Sequence, residues 1–468
     1  MYNWNYRKPV ELDTLASEHR LRPSLSWWHL IALGVGAIVG TGIYTLVGVG
    51  ANLAGPAVIL SFAVAGAICS CAALCYAEVA ATIPASGSAY TYSYVVIGEL
   101  IAWIVGWSLI LEYSLVASAV AVGWSGYATG FLEVLGMPLP TAIAAGPHAG
   151  GIVNLPAVAV IFAVAGLLAL GTRESATVNA ILVGVKMAAL ILFIAVVLPH
   201  FDVAQFQPFM PHGFAAHSVN GVQYGVMAAA AIIFFAFYGF DAISTAAEET
   251  KNPQRDMPIG IIGSMLVCTL VYVGVAAVAV GSMPYLAYAN SPEPLALILR
   301  RLGQGEVAAI VGAAAILALP TVILAFLFGQ SRIFFVMARD GLLPTALAKV
   351  SPRTGSPIRM TMATSLIISV LAGLVPLDAI AALANAGTLV AFIAVATCML
   401  ILRRREPNRP RLFKTPLPWL VGPVAIAGCI YLFWSLPTTT RIFFAVWNLL
   451  GLLLYVWVGR RSRTLPGG

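Results

Sequence analysis

A lysine stands where charge is least expected in this chain. Lys186 lies within Val183-Gly184-Val185-Lys186-Met187-Ala188, deep inside an apolar run. It is roughly ten residues from either end, too far to reach an aqueous interface comfortably by snorkelling. A charge at such a depth is costly. Proton uptake and release there could drive a coupled process, and an ammonium can stand where a sodium ion would otherwise sit. The plainer reading is a static lysine bonded to backbone carbonyls of the first apolar segment. Three further groups draw attention. Gly34, Gly36, Gly40 and Gly42 fall within nine residues, with Thr41 between the last two. Ile232-Ile233-Phe234-Phe235-Ala236-Phe237-Tyr238-Gly239-Phe240-Asp241 sets a glycine among aromatics and follows it with a carboxylate in mid-run. Glu112 is the other deep acid, read either as a structural partner or as part of a site.

Glycine weakens a helix by about 1 kcal/mol relative to alanine and lets a ligand approach the backbone closely. A lone pair such as Gly36 and Gly40 would indicate close helix packing. With Thr41-Gly42 added, the pattern points to a local break, and in a membrane unwound backbone is tolerated where it lines a cavity. A dinucleotide fingerprint fails, because the third glycine position is Val39. A broken helix exposes amide donors at one half's N-terminus and carbonyls at the other's C-terminus. An amino acid head group carries an anion and a cation close together. Gly40, Thr41 and Gly42 could present N–H groups to the carboxylate, and carbonyls near Ile38 and Phe235 could take the ammonium. Tyr238 and Asp241 belong to the matching break. In a later segment Pro320 frees a carbonyl, Thr321 could bond Lys186 or line the pocket, and Ala325 follows one turn on. An apolar wall of Phe235, Ile323 and Ala325 would favour neutral side chains.

The elements that must hold these groups follow from composition. Of 468 residues, 60% are hydrophobic and only 9% are charged, whereas soluble domains carry roughly 25% charged residues. That excludes a water-soluble enzyme, a nucleic-acid binder and a disordered chain, and makes lipid the solvent. Long apolar runs give twelve expected spans: 28–50, 56–83, 99–130, 152–171, 176–199, 220–247, 258–282, 306–338, 358–375, 379–402, 417–436 and 439–459. Each needs ~20 apolar residues. The breaks fall in the first and sixth spans, five apart, which is the pattern of an inverted repeat with a site at its interface. The organisation expected is a cytoplasmic segment 1–27, a first repeat 28–199, a second repeat 220–402, a basic loop 403–416, two appended helices over 417–459 and a tail 460–468.

Sorting lysine and arginine by side fixes the orientation expected. With the N-terminus inside, twenty-one of the 25 basic residues fall inside. They include Arg7, Lys8, Arg20 and Arg22, then Arg332, Arg339 and the run Arg403, Arg404, Arg405, Arg409, Arg411 and Lys414. Only Arg300, Arg301 and Arg441 fall outside, leaving Lys186 in the membrane. By the positive-inside rule both termini are cytoplasmic. The net charge of +7 is then a topology signal and no nucleic-acid footprint. Glu78, near the end of the second span, reads as a gate or a hydrated helix end. The six cysteines lie in apolar runs without disulfide or zinc spacing, the six histidines lie at span ends or loops, and the polar start (Glu11, Asp13 among others) shows no cleavable signal.

Several stretches carry a specific resemblance. Trp27 through Tyr44 resembles the opening of the amino acid–polyamine–organocation (APC) superfamily. Gly239 through Pro258, including Glu248-Glu249-Thr250-Lys251-Asn252-Pro253, is similar to the cationic amino acid transporter (CAT) family within it, in its bacterial-type form. Gly329-Gln330-Ser331-Arg332, Ala338-Arg339-Asp340-Gly341-Leu342-Leu343-Pro344 and Pro84-Ala85-Ser86-Gly87-Ser88-Ala89-Tyr90-Thr91-Tyr92 match as well. The resemblance covers nearly the whole chain. It implies an all-α polytopic membrane protein with the LeuT-like fold, a 5+5 inverted repeat and 12 transmembrane helices. It also implies that Lys186 matches a lysine that takes the place of a coupling sodium in bacterial members.

The expectation is therefore a permease of the cell (inner) membrane and no enzyme. It would take up an L-amino acid with protons by alternating access, with no cofactor beyond the proton. An exchanger without net proton movement is the alternative. A channel would want a polar pore lined by charge, and none is visible; a sensor would want a soluble domain. Lipid and a small amino acid are the expected partners, with a small membrane protein or accessory subunit left open.

Overall fold

The computed structural model describes residues 6–8 and 21–462, except 135, 148–149, 220–221, 290, 292, 345–347, 375–376 and 437. Glu11, Asp13, Arg20, His148 and Arg463 lie outside the described residues, as do the side chains of Thr41, Arg460 and Arg461.

Helix follows helix along the chain: α1 (Trp27–Ile38), α2 (Thr41–Ala54), α3 (Val58–Thr82), α4 (Ala89–Val96), α5 (Glu99–Val134), α6 (Thr141–Ala144), α7 (Leu155–Leu170), α8 (Thr172–Val197), α9 (Val226–Ile233), α10 (Phe240–Ser244), α11 (Pro253–Ser282), α12 (Pro294–Arg301), α13 (Gly305–Arg339), α14 (Ile358–Leu374), α15 (Leu377–Arg405), α16 (Pro418–Ser435) and α17 (Thr438–Ser462). Each of the twelve expected spans finds its helix, or its broken pair of helices, within a few residues. The chain is an all-α, multi-pass membrane protein. The longest helices, α5 with 36 residues and α13 with 35, exceed at ~1.5 Å per residue the ~30 Å of a hydrocarbon core.

Two local departures have clear causes. The sixth span was expected from residue 220, but Val222–Tyr224 form a strand, β2, antiparallel to β1 (His217–Val219). Gly225 then turns at φ +108° and the helix begins only at Val226. Three short helices, α4, α6 and α12, also lie between spans. Of these, α12 is amphipathic: Leu295, Ile298 and Leu299 are buried, and Arg300 points out.

The first and sixth spans run antiparallel through the centre. The chain before α1 pairs with the end of the sixth span, Ser24 and Leu25 N–H both donating to the Glu249 carbonyl at 2.8 Å. At the opposite side the Gly225 N–H donates to the Leu53 carbonyl at the end of α2. So α1 packs on α10, α2 packs on α9, and the two breaks meet between them. Around this pair α3 packs on α11, and α5 packs on α13 and α15. Pro320 interrupts α13, and the Ile316 carbonyl it leaves free accepts from Trp124 Nε1 of α5 at 3.0 Å.

Candidate substrate site

The first break lies between α1 and α2. Helix α1 closes at Val39, and Gly40 is the N-cap of α2, with no described side chain capping the exposed amides. The second break follows a 3₁₀ turn, Phe234–Phe237. Tyr238 is extended there and Gly239 adopts φ +112°, a conformation that favours glycine, before α10 begins. Gly42 is required for a different reason: a Cβ there would lie 2.5 Å from the Ala236 Cβ, so its absence lets the two breaks approach.

A cavity opens between the breaks; its interior and the open space at its mouth together come to about 310 Å³. Ile38, Gly40, Gly42, Phe235 and Tyr238 line it, together with Ala37 and Ala236. Its remaining wall is apolar: Val116 and Val120 from α5, Val322 and Phe326 from α13. Ala325 and Ile323 were expected in that wall and do not line it. Val322 and Phe326 are one turn apart on a single face of α13; the neighbouring Ala325 is rotated by about 100° from Phe326 and packs in the core. A helix apolar all round carries no periodic signal of which face looks inward, so neither α13's lining residues nor the α5 valines could be picked from sequence.

Lys186 of α8 is fully buried against the same break. Its ammonium donates to the Gly36 carbonyl at 2.9 Å, the Val39 carbonyl at 2.6 Å and Thr321 Oγ1 at 2.8 Å. Three donors meet three acceptors, a complete shell for a charged lysine. Two acceptors are carbonyls at the C-terminus of α1, where the helix dipole favours a cation. The contacts of the static reading are thus present, and so is the expected bond to Thr321. That hydroxyl also lies 2.6 Å from the Ala318 carbonyl and 3.1 Å from the Gly36 carbonyl, completing the link between α8, α1 and α13.

Tyr272 of α11 was not singled out in the sequence. Its hydroxyl lies 2.8 Å from the Ile38 carbonyl and 3.1 Å from the Ala236 carbonyl, so one phenol ties both breaks together. Nothing in the sequence distinguishes it from other membrane tyrosines. Neither Asp241 nor Glu112 lines the cavity. Asp241, in the first turn of α10, accepts from the Tyr113 hydroxyl, and Tyr113 in turn packs edge-on against Phe326. Glu112 accepts from the Thr388 hydroxyl of α15.

The quoted motifs converge on the face that holds the start of α1. Arg332 is buried and pairs bidentately with Glu249 at 2.9 and 3.0 Å, its guanidinium 3.7 Å over the Phe328 ring. Arg339 pairs bidentately with Glu248, both bonds 2.7 Å, and the Ser86 N–H reaches the same carboxylate at 3.0 Å. Tyr90 and Lys8 both bond Asp340. Arg332 and Arg339 are therefore buried partners rather than simple face markers. Glu78 is no hydrated helix end: Arg403 at 2.6 Å and Arg411 at 3.3 Å hold it. Such bidentate pairs satisfy charges that burial would otherwise make costly.

With this geometry in view, comparison with known proteins is decisive. The amino acid permease family profile matches residues 25–458. The chain belongs to that family. It is 45% identical over 467 residues to the branched-chain amino acid permease BcaP of Bacillus subtilis (strain 168), covering 98% of each chain. It is 40% identical to the methylthioribose transporter of the same organism, again over 98% of each. It is 39% identical to cationic amino acid transporter 4, vacuolar, of Arabidopsis thaliana, over 83% of this chain and 65% of that one. The family has the LeuT-like membrane fold, and these relatives are transporters rather than enzymes.

Proposed function

We propose that this permease takes up a neutral, apolar L-amino acid together with protons, in the cell membrane and with both termini cytoplasmic. The repeats 28–199 and 220–402 would move around the two breaks by alternating access. The observation that carries this reading is the pairing of free amides with an apolar wall. The uncapped N-terminus of α2 opens on the cavity beside Gly40 and Gly42, where amide donors and the helix dipole favour a carboxylate. Ile38 and Phe235 line the same cavity, and carbonyls of that region would take the ammonium. No charged side chain is among the cavity's described lining residues, and Val116, Val120, Val322, Phe326 and Phe235 suit a short branched side chain. The relative named for branched-chain amino acids supports that choice over the one named for cationic substrates. Lys186 would carry the coupling proton, since its ammonium anchors the C-terminus of α1 and its neutral form would release it.

Uptake into proteoliposomes, screened over the twenty amino acids and methylthioribose, tests both parts. Valine, leucine and isoleucine should enter, an inside-alkaline gradient should raise their uptake several-fold, and lysine and arginine should not compete. Uptake unchanged by the gradient would contradict coupling. Strong competition by arginine or by methylthioribose would overturn the substrate class.

A further inference from the structure

The loop joining α15 to α16 is unlike other connections of the molecule. With the last turn of α15 it spans residues 403–414, which hold Arg403, Arg404, Arg405, Arg409, Arg411 and Lys414 against the single acid Glu406. The loop is also built to a fixed shape. Buried Glu78 of α3 takes Arg403, Arg411 and the Thr415 N–H, the last at 2.8 Å. Thr415 Oγ1 donates to the Leu74 carbonyl at 2.9 Å, and Arg409 reaches the Thr82 carbonyl at 3.2 Å. This scaffold leaves two cations over. Arg404 and Lys414 are exposed and make no ion pair or side-chain hydrogen bond among the described residues.

Beside them the loop and the first turn of α16 expose large apolar groups: Leu412 (74%), Leu417 (71%), Trp419 (63%) and Leu420 (58%). In water such a set would be a liability. Here the loop joins two membrane spans, so it sits at the level where one leaflet's headgroups meet its acyl chains. Leucines enter the chains, tryptophan prefers the boundary, and cations meet the headgroup layer.

We propose that this loop is a binding site for an anionic phospholipid, with Arg404 and Lys414 on the headgroup phosphate and Leu412, Leu417 and Trp419 against the acyl chains. A zwitterionic lipid supplies the chains without the net charge. A free phosphate supplies the charge without the chains. A basic protein surface meant for nucleic acid would not place leucines and a tryptophan at its rim.

The test uses the full chain purified in detergent, with thermal stability and native mass spectrometry read as lipid is added. Phosphatidylglycerol should raise the melting temperature by several degrees and remain bound in the gas phase. Phosphatidylcholine with the same chains, and inorganic phosphate at equal concentration, should do neither. The double variant Arg404→Gln/Lys414→Gln should bind phosphatidylglycerol on the order of tenfold more weakly. The double variant Arg300→Gln/Arg301→Gln, at the far side of the molecule, should bind it as the wild type does. Both variants change residues outside the buried core, and equal melting temperatures without lipid check that each is folded. Equal binding of the two phospholipids, stabilisation by phosphate alone, or unchanged binding by Arg404→Gln/Lys414→Gln would overturn the proposal.

Discussion

The two helix breaks look symmetric in sequence and differ in what already occupies them. At the first, Lys186 fills the carbonyl end of α1, and no described side chain caps the amide end of α2. At the second, the carbonyl end is tied through Ala236 to Tyr272, and the short helix α10 carries its own anion, Asp241, in its first turn. A helix N-terminus attracts negative charge, so the acid in the first turn of α10 competes there with a substrate carboxylate. The first turn of α2 holds no acid, which leaves its N-terminus to a substrate carboxylate. Antiparallel repeats thus supply two similar breaks, and resident charges decide which end of each stays available.

Substitutions can break this comparison. The largest effect is expected from Gly42→Val. Its side chain would collide with Ala236 and close the gap at the α2 amides. Uptake should fall below about one-tenth of wild type while the purified protein stays monodisperse. Retained uptake would place the carboxylate elsewhere. Next is Gly239→Ala, which must hold φ +112° and place a Cβ 2.5 Å from Ala37. A loss of ~1–3 kcal/mol in stability is expected, read as a lower melting temperature. Tyr272→Phe removes the hydroxyl that joins the breaks. Losing about 1 kcal/mol of hydrogen bonding should raise KM roughly fivefold with the fold intact. The smallest effect belongs to Asp241→Asn, which keeps an acceptor for Tyr113 and should leave uptake within about threefold of wild type. Were it as damaging as Gly42→Val, the α10 terminus and not the α2 terminus would be the substrate's anchor.

Much of this was legible in the chain itself. Spans are set by apolar length, the first break by a glycine cluster, the second by a glycine among aromatics, and Lys186 by being the basic residue that fits neither face. What sequence did not reveal is orientation around each helix axis. In water, polar faces mark which side of a helix looks inward; in lipid both sides are apolar, so Val116, Val120, Val322 and Phe326 carry no mark, and Ala325 was chosen in place of its neighbour. The ionic layer was hidden for another reason. Arg332 and Arg339 sit at the end of a span, where basic residues usually meet headgroups. Only the approach of the sixth span brings Glu249 and Glu248, more than eighty positions away, onto them.

Lys186→Met, with its own fold control, addresses the central claim most directly. Both wild type and variant would be placed in proteoliposomes under an imposed inside-alkaline gradient, with labelled valine accumulation and valine–valine exchange measured side by side. Coupling through Lys186 predicts that the variant loses accumulation above equilibrium while still exchanging valine across the membrane. Gradient-driven accumulation equal to wild type would show that the lysine is only a structural cap on α1.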